Sequence, residues 1–258
     1  MTEWLWEPDD FAALWYGDAH DRFPGPLRYT SRFAYRDEFR AHRAAVRARY
    51  DADELEEIRL ALHTLGTSEV RIEILGGTCR HKRSTGREDL REYRIIGARN
   101  TFHAVTLMQS GTEHDHGPIR VRLSRPEHLP ARVAADIPPC APGSAAPEIF
   151  HPADLDPPRD RYLRDNARNT PRERYRRLLG GPADGGGTAV LLTGPTHNAS
   201  APVEVAQWHD ITDDGRYTEL RTTHIAVRPT TFAELSALFT GWLDRAWQRL
   251  SEADAGTW

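Results

Sequence analysis

The chain has 258 residues, 39% of them apolar and 28% charged, and a formal net charge of −4. That length admits one large domain or two halves of about 120 residues, and the acidic balance excludes the global basic field that bulk nucleic-acid binding needs. Cys79 and Cys140 are too few for a disulfide framework, while "MTEWLWEPDD" lacks a signal peptide's features and no apolar run reaches the roughly 20 residues of a membrane span, so a reduced, cytoplasmic protein is expected.

Phe11 to Tyr16 is a short aromatic segment before the Pro/Gly break "RFPGPLRY". Asp37 to about Arg49 follows a helical pattern. Asp53 opens a second helix, with Leu55, Ile58, Leu62 and Leu65 on one side and Gly66 as its C-terminal cap. Four strand-like runs follow: "SEVRIEIL", "DLREYRII", "TFHAVTLM" and "IRVRL". Residues 137–158, rich in Pro and Ala, read as a linker with little regular structure. An Arg-rich segment, Arg159 to Arg177, comes next; Asn169 or Thr170 can cap a helix with Pro171 in its first turn. "GGPADGGG" (Gly180 to Gly187) reads as a flexible connector. Strands resume at "GTAVLLTG", "PVEVAQWHD", "GRYTELR" and "HIAVRP". Thr231 to Glu234 is a capping box, and Phe232, Leu235, Leu238, Phe239, Trp242, Leu243, Ala246, Trp247 and Leu250 then mark a wide apolar stripe on a final helix.

The element order repeats: helix, about four strands, helix. "IRVR" (Ile119 to Arg122) and "IAVR" (Ile225 to Arg228) close the two sets, each followed by a capping-box pattern, Ser124-x-x-Glu127 and Thr231-x-x-Glu234, the first weakened by Pro130. The expected fold class is α+β, a pseudo-twofold duplicated unit of mostly antiparallel sheets with helices packed on them. Residues 1–137 and 159–258 form the two halves, bridged by 138–158, in one globular unit.

Four stretches invite chemistry. In "QWHDITDDGRYTELR", a calcium loop starting at Asp210 would place Asp214 and Gly215 well, but its twelfth position is Arg221 where a bidentate Glu belongs. A tight hairpin at Asp214-Gly215 explains the same letters. His114 and His116 could ligate a metal, with Cys79 and His81 in reach only if the fold joins the loops; a metal-dependent enzyme using His114 and His116 is the alternative reading. The eight arginines between Arg159 and Arg177 carry only Tyr162 and Tyr175 as aromatics, too far apart for a base-stacking platform. Finally, Gly76 to Asp89 is long for a hairpin loop, and a long polar loop between two good strands often serves recognition. Lys82 is the chain's only lysine, so its many arginines are weak signals one by one.

From about Tyr175 to Leu243 the pattern is more specific. A helix ending "RRLL", a Gly-rich bridge, a strand, then "QWHDITDDGRY" and a strand closing in "VRP" before a capped amphipathic helix resembles the EspG family, the secretion-associated chaperones of type VII (ESX) systems. The first half resembles it in layout only. The resemblance implies a cytoplasmic, non-enzymatic chaperone without cofactors or bound metal, of pseudo-twofold α+β fold. It also implies as partner a secreted PE–PPE-like protein, whose apolar helical-hairpin tip is covered by a concave sheet face, the long loop between early strands and the C-terminal helices. Neither nucleic acid nor a membrane span is implied, and the chain would be a monomer or weak homo-oligomer. By element, the partner-binding candidates are Arg80, Lys82, Arg83 and Arg87 in the loop, and Trp242 and Trp247 on the final helix. The two tryptophans, five residues apart, sit about 140° from each other on that helix, so at most one is expected to face a partner.

Overall fold

The computed structural model describes residues 2–17, 20–156, 169–198 and 200–255. In chain order it contains β1 (Thr2–Trp6), α1 (Pro8–Trp15), α2 (Arg36–Arg47), α3 (Ala52–Gly66), β2 (Val70–Thr78), β3 (Arg91–Arg99), β4 (Ala104–Gly111) and β5 (His116–Ser124). A 3₁₀ turn (Pro126–His128) leads to α4 (Leu129–Asp136), β6 (Glu148–Phe150), α5 (Pro152–Leu155) and α6 (Pro171–Leu179). The chain then runs through β7 (Ala183–Thr193), β8 (Glu204–Ile211), β9 (Gly215–Arg221), β10 (Ile225–Pro229) and α7 (Phe232–Ala255). All ten strands join one antiparallel sheet in the order β1-β5-β4-β3-β2-β7-β8-β9-β10-β6. Read outward from the central β2–β7 pair, each side is a four-strand meander closed by a short strand from earlier in the chain.

Because side chains alternate across a strand, the register separates two faces. On the back face Val70, Ile72, Ile74, Tyr93, Ile95, Ala189, Ala206 and Trp208 pack under α4 and α7, which bring Leu129, Val133, Phe239, Trp242 and Leu243. On the front face two separate layers form. α1, α2 and α3 cover β1, β5, β4 and β3 through Trp6, Phe11, Trp15, Ile58, Leu65, Ile96, Leu107 and Val121. α6 covers the other flank, where Leu178 meets Phe150, Tyr217, Ile225 and Val227.

The helix caps carry their sequence signals. Thr170 accepts the Glu173 amide at the start of α6, and Thr231 and Glu234 cap α7 reciprocally. Four expectations change. Gly66 is the last residue of α3, with Thr67 as its cap; a side chain there would strike the ring of His20. Ser124 caps no helix. Its hydroxyl has no partner among the described residues, and Pro130 stands in the first turn of α4, where a missing N–H costs nothing. The stretch 137–158 holds β6, which pairs with β10, and α5. The supposed connector at Gly180 to Gly187 is largely strand: Gly185, Gly186 and Gly187 belong to β7 and pair with Thr78, Gly77 and Gly76 of β2. A side chain at Gly187 would come within 2.5 Å of the Trp208 ring, so the seam needs bare backbone there. Of the Arg-rich segment, residues 157–168 lie outside the described residues, and the remainder forms α6.

Candidate functional site

The front face is left open at its centre. Between the α1–α3 layer and α6, no helix among the described residues covers β2, β7 and β8. Leu75 is 51% and Val205 43% exposed there, although both lie on central strands. This furrow follows the β2–β7 seam from Arg71 to Gly77, about 20 Å at the usual rise per strand residue. Exposed apolar surface on central strands, walled by helices, is what a docking groove looks like.

At one end the furrow deepens into a cavity of about 490 Å³ lined by Trp15, His20, Arg71, Glu73, Leu192 and Asn198, among others. Arg71 is buried here. Its guanidinium donates to the carbonyls of Gly194 (2.5 Å), Pro195 (3.0 Å) and Asn198 (3.1 Å) and pairs with Glu73 at 2.7 Å. These bonds fix the β7–β8 loop against the sheet. His20 stacks on Trp15 with ring centroids 3.9 Å apart. Burial, with His197 and His63 nearby, lowers its pKa, so the ring favours the neutral form.

At the other end a smaller cavity of about 260 Å³ has Gly77, Gly185 and Gly186 as floor and Arg87 and Leu90 as wall. The 79–90 loop forms this wall; β2 runs on to Thr78, so the loop begins later than the sequence suggests. It is folded on itself. The Ser84 amide donates to the His81 carbonyl (2.9 Å), the Thr85 amide to the Asp89 carboxylate (3.0 Å), and the His81 ring lies 3.0 Å from the Asp89 carbonyl. Its base is clamped by Asp184, whose backbone carbonyl accepts the Cys79 amide at 2.8 Å. The Asp184 carboxylate accepts the Thr212 hydroxyl (2.7 Å) and pairs with Arg80 (2.5 Å). The Thr212 bond first, and Arg80 after it, hold this carboxyl below its usual range.

The aspartate stretch is a hairpin and its oxygens are occupied. The turn from Ile211 to Gly215 takes positive φ at Asp213 (62°) and Gly215 (156°). Asp210 and Arg216 form a buried ion pair at 2.7 and 2.8 Å. The rest of the motif grips residues 138–145. The Arg216 guanidinium donates to Pro138 O (2.8 Å), and its amide to Ala141 O (2.7 Å). Asp214 accepts the Ser144 amide (2.7 Å) and the Tyr217 hydroxyl (2.6 Å), while that hydroxyl accepts the Ala145 amide (2.9 Å). The Tyr217 bond is the main reason the Asp214 carboxyl sits below its usual range. Trp208 and Tyr217, placed on the flanking strands by sequence, face opposite sides: Trp208 lies opposite Thr218 and Tyr217 opposite His209.

The remaining candidates separate. Arg80, Lys82, Arg83 and Arg87 come together on the exposed loop. Trp242 is 2% exposed and belongs to the back-face core, so its ring offers no surface to a partner. Trp247, half-buried, carries the Arg99 guanidinium 4.0 Å above its ring. His116 opens β5 opposite Gly111, and His114 lies in the preceding turn. Among the described residues no group of three His, Cys, Asp or Glu side chains is placed to hold a metal ion, and none of the described helices is long and apolar enough to cross a membrane. Sequence reasoning missed the furrow itself. Its signals were Leu75 and Val205, out of step with the buried sides of β2 and β8.

Comparison with solved structures finds the same fold in the Mycobacterium tuberculosis type VII secretion system chaperone EspG5, determined in complex with a PE25–PPE41 dimer. The TM-score is 0.56 at 15% identity, over 94% of this chain and 96% of that one. No curated protein matches this sequence significantly. A family model described as the EspG family matches residues 7–238, well over half of the sequence, and the chain belongs to that family.

Proposed function

We propose that this chain is a cytoplasmic, non-enzymatic chaperone of type VII secretion that holds a PE–PPE-like pair soluble by covering its helical-hairpin tip. The observation that carries this reading is family membership over residues 7–238. The open furrow supports it, because an apolar tip needs a groove with apolar floor and polar rim. EspG5, of like fold, is a chaperone seen with a PE25–PPE41 dimer. Contact at the furrow falls to the loop cations Arg80, Lys82, Arg83 and Arg87, with no cofactor; Trp247, half-buried on the back face with α7, is a contact separate from the furrow. The same reading takes residues 1–137 and 159–258 as two halves of one unit, acting as a monomer or weak homo-oligomer; the repeated strand order supports the division. Co-expression with PE–PPE-like pairs encoded near this chain tests it. A pair that co-purifies and gains solubility is the expected result. Failure of every such pair to do either would overturn the reading.

A further inference from the structure

The 79–90 end of the furrow differs in chemistry from the rest. Its floor is main chain only: Gly77 lies opposite Gly186 in the β2–β7 ladder. Leu90, 51% exposed, leans over Gly77, and Leu75, equally exposed, continues the apolar strip. Above this strip stands the loop, whose residues from Lys82 to Glu88 are all exposed. Arg80 is anchored to Asp184, although its side chain stays 56% exposed. Arg87 lines the cavity and lies close enough to Asp184 to add weakly to its depressed pKa. Yet Asp184 already has Thr212 and Arg80 within 2.7 Å. Lys82, Arg83 and Arg87 form no salt bridge among the described residues. The loop's own carboxylate, Asp89, is turned inward to Thr85 and His81. The loop, braced by its internal bonds, therefore presents Lys82 and Arg83 to solvent and Arg87 to a small cavity of about 260 Å³.

We infer that this cavity is a specificity subsite: it takes one apolar side chain of the partner's tip onto the glycine floor, between Leu75 and Leu90, while Arg87, with Lys82 and Arg83 behind it, receives an Asp or Glu carboxylate next to that side chain. The inference rests on the chaperone reading and adds the partner's chemistry, an acidic residue flanking an apolar one at the tip. Guanidinium suits this role because it binds carboxylate in a forked geometry and is only weakly hydrated. Asp184 acts as a positioning residue, setting the height of the loop over the floor.

The test uses the intact chain and the PE–PPE-like pair that co-purifies with it, with affinity measured at low and high salt. Arg87→Glu is expected to weaken binding by at least about tenfold and to flatten its salt dependence, with melting only slightly lowered, because the residue is exposed, makes no ion pair among the described residues and acts only weakly on Asp184. Arg87→Lys is expected to keep most of the affinity. Gly77→Leu fills the floor and is expected to abolish capture. Reversing a tip carboxylate of the partner to Arg is expected to restore binding to Arg87→Glu. Affinity of Arg87→Glu within about twofold of the parent, at both salt concentrations, overturns the subsite while leaving the chaperone reading standing. Absence of any pair captured by the parent protein overturns both.

Discussion

The Ile211–Gly215 hairpin and the 79–90 loop sit at the same end of the sheet, and both are dense in charge, yet they dispose of it in opposite ways. In the hairpin Asp210, Asp214 and Arg216 each have partners within 3 Å, drawn from one another, from Tyr217 and from residues 138–145. In the loop Asp89 braces the backbone, and Lys82, Arg83 and Arg87 are left to solvent. The lesson is that a charged cluster declares its role by its partners rather than by its composition. Charges satisfied by their own chain hold a fold, and charges held outward by a braced backbone are available to something else.

The comparison can be broken in order of expected effect. Arg216→Met strands Asp210 as an unpaired buried charge and releases Pro138 O; it should cost about 3–5 kcal/mol and lower the melting temperature by about 10 °C in calorimetry. A change below about 1 kcal/mol would show that the pair is not buried in solution. Gly215→Val places a β-branched residue at φ 156°, with a side-chain carbon about 2.5 Å from the Pro142 carbonyl, and should cost about 2–3 kcal/mol. Tyr217→Phe leaves the Ala145 amide and one Asp214 oxygen without the bridging hydroxyl, for about 1–2 kcal/mol in urea unfolding. Lys82→Ala with Arg83→Ala should leave stability within about 0.5 kcal/mol, since both side chains are exposed and neither forms a salt bridge among the described residues.

Acid sharpens the same contrast. Asp184 and Asp214 have pKa values depressed below the ordinary 3.8. Their anchoring contribution is therefore complete above pH 3.8 and lost as pH falls through the depressed values. Amide exchange at Ser144 and Ala145 should accelerate over that range, with Asp214→Asn showing the faster exchange already at neutral pH. Exchange at Ser144 that stays equally slow through the range would show that Asp214 does not hold the strap.

Much of this was legible in the sequence. The α7 stripe, the Thr170 and Thr231 caps and the Asp-Gly turn are local signals, and local geometry obeys them. The glycines of β7 were not, because what they answer to, the rings of Trp208 and Tyr93, lies on other strands. β6 was hidden for the same reason: three residues among prolines become a strand only because β10 offers an edge. Of the site, the loop was legible through its length. The furrow was not, since an exposed Leu75 and Val205 acquire meaning only when β2 and β8 stand one strand apart with no helix among the described residues above them. Trp242 and Trp247 illustrate the limit of a stripe, which gives the angle between two rings but not which one the core will claim.

The β2–β7 seam has a consequence for synthesis. It ties together positions as distant in the chain as Val70 and Thr193, and among the described residues it is the one strand pairing that joins the two meanders. A chain made from its N-terminus completes the β2–β5 meander long before β7 leaves the ribosome. Throughout that interval β2, rich in Val and Ile, presents a bare edge with its hydrogen-bonding groups unpaired, the kind of template on which nascent chains cross-associate. The chain thus begins life with an unguarded edge, closed only when the second half arrives.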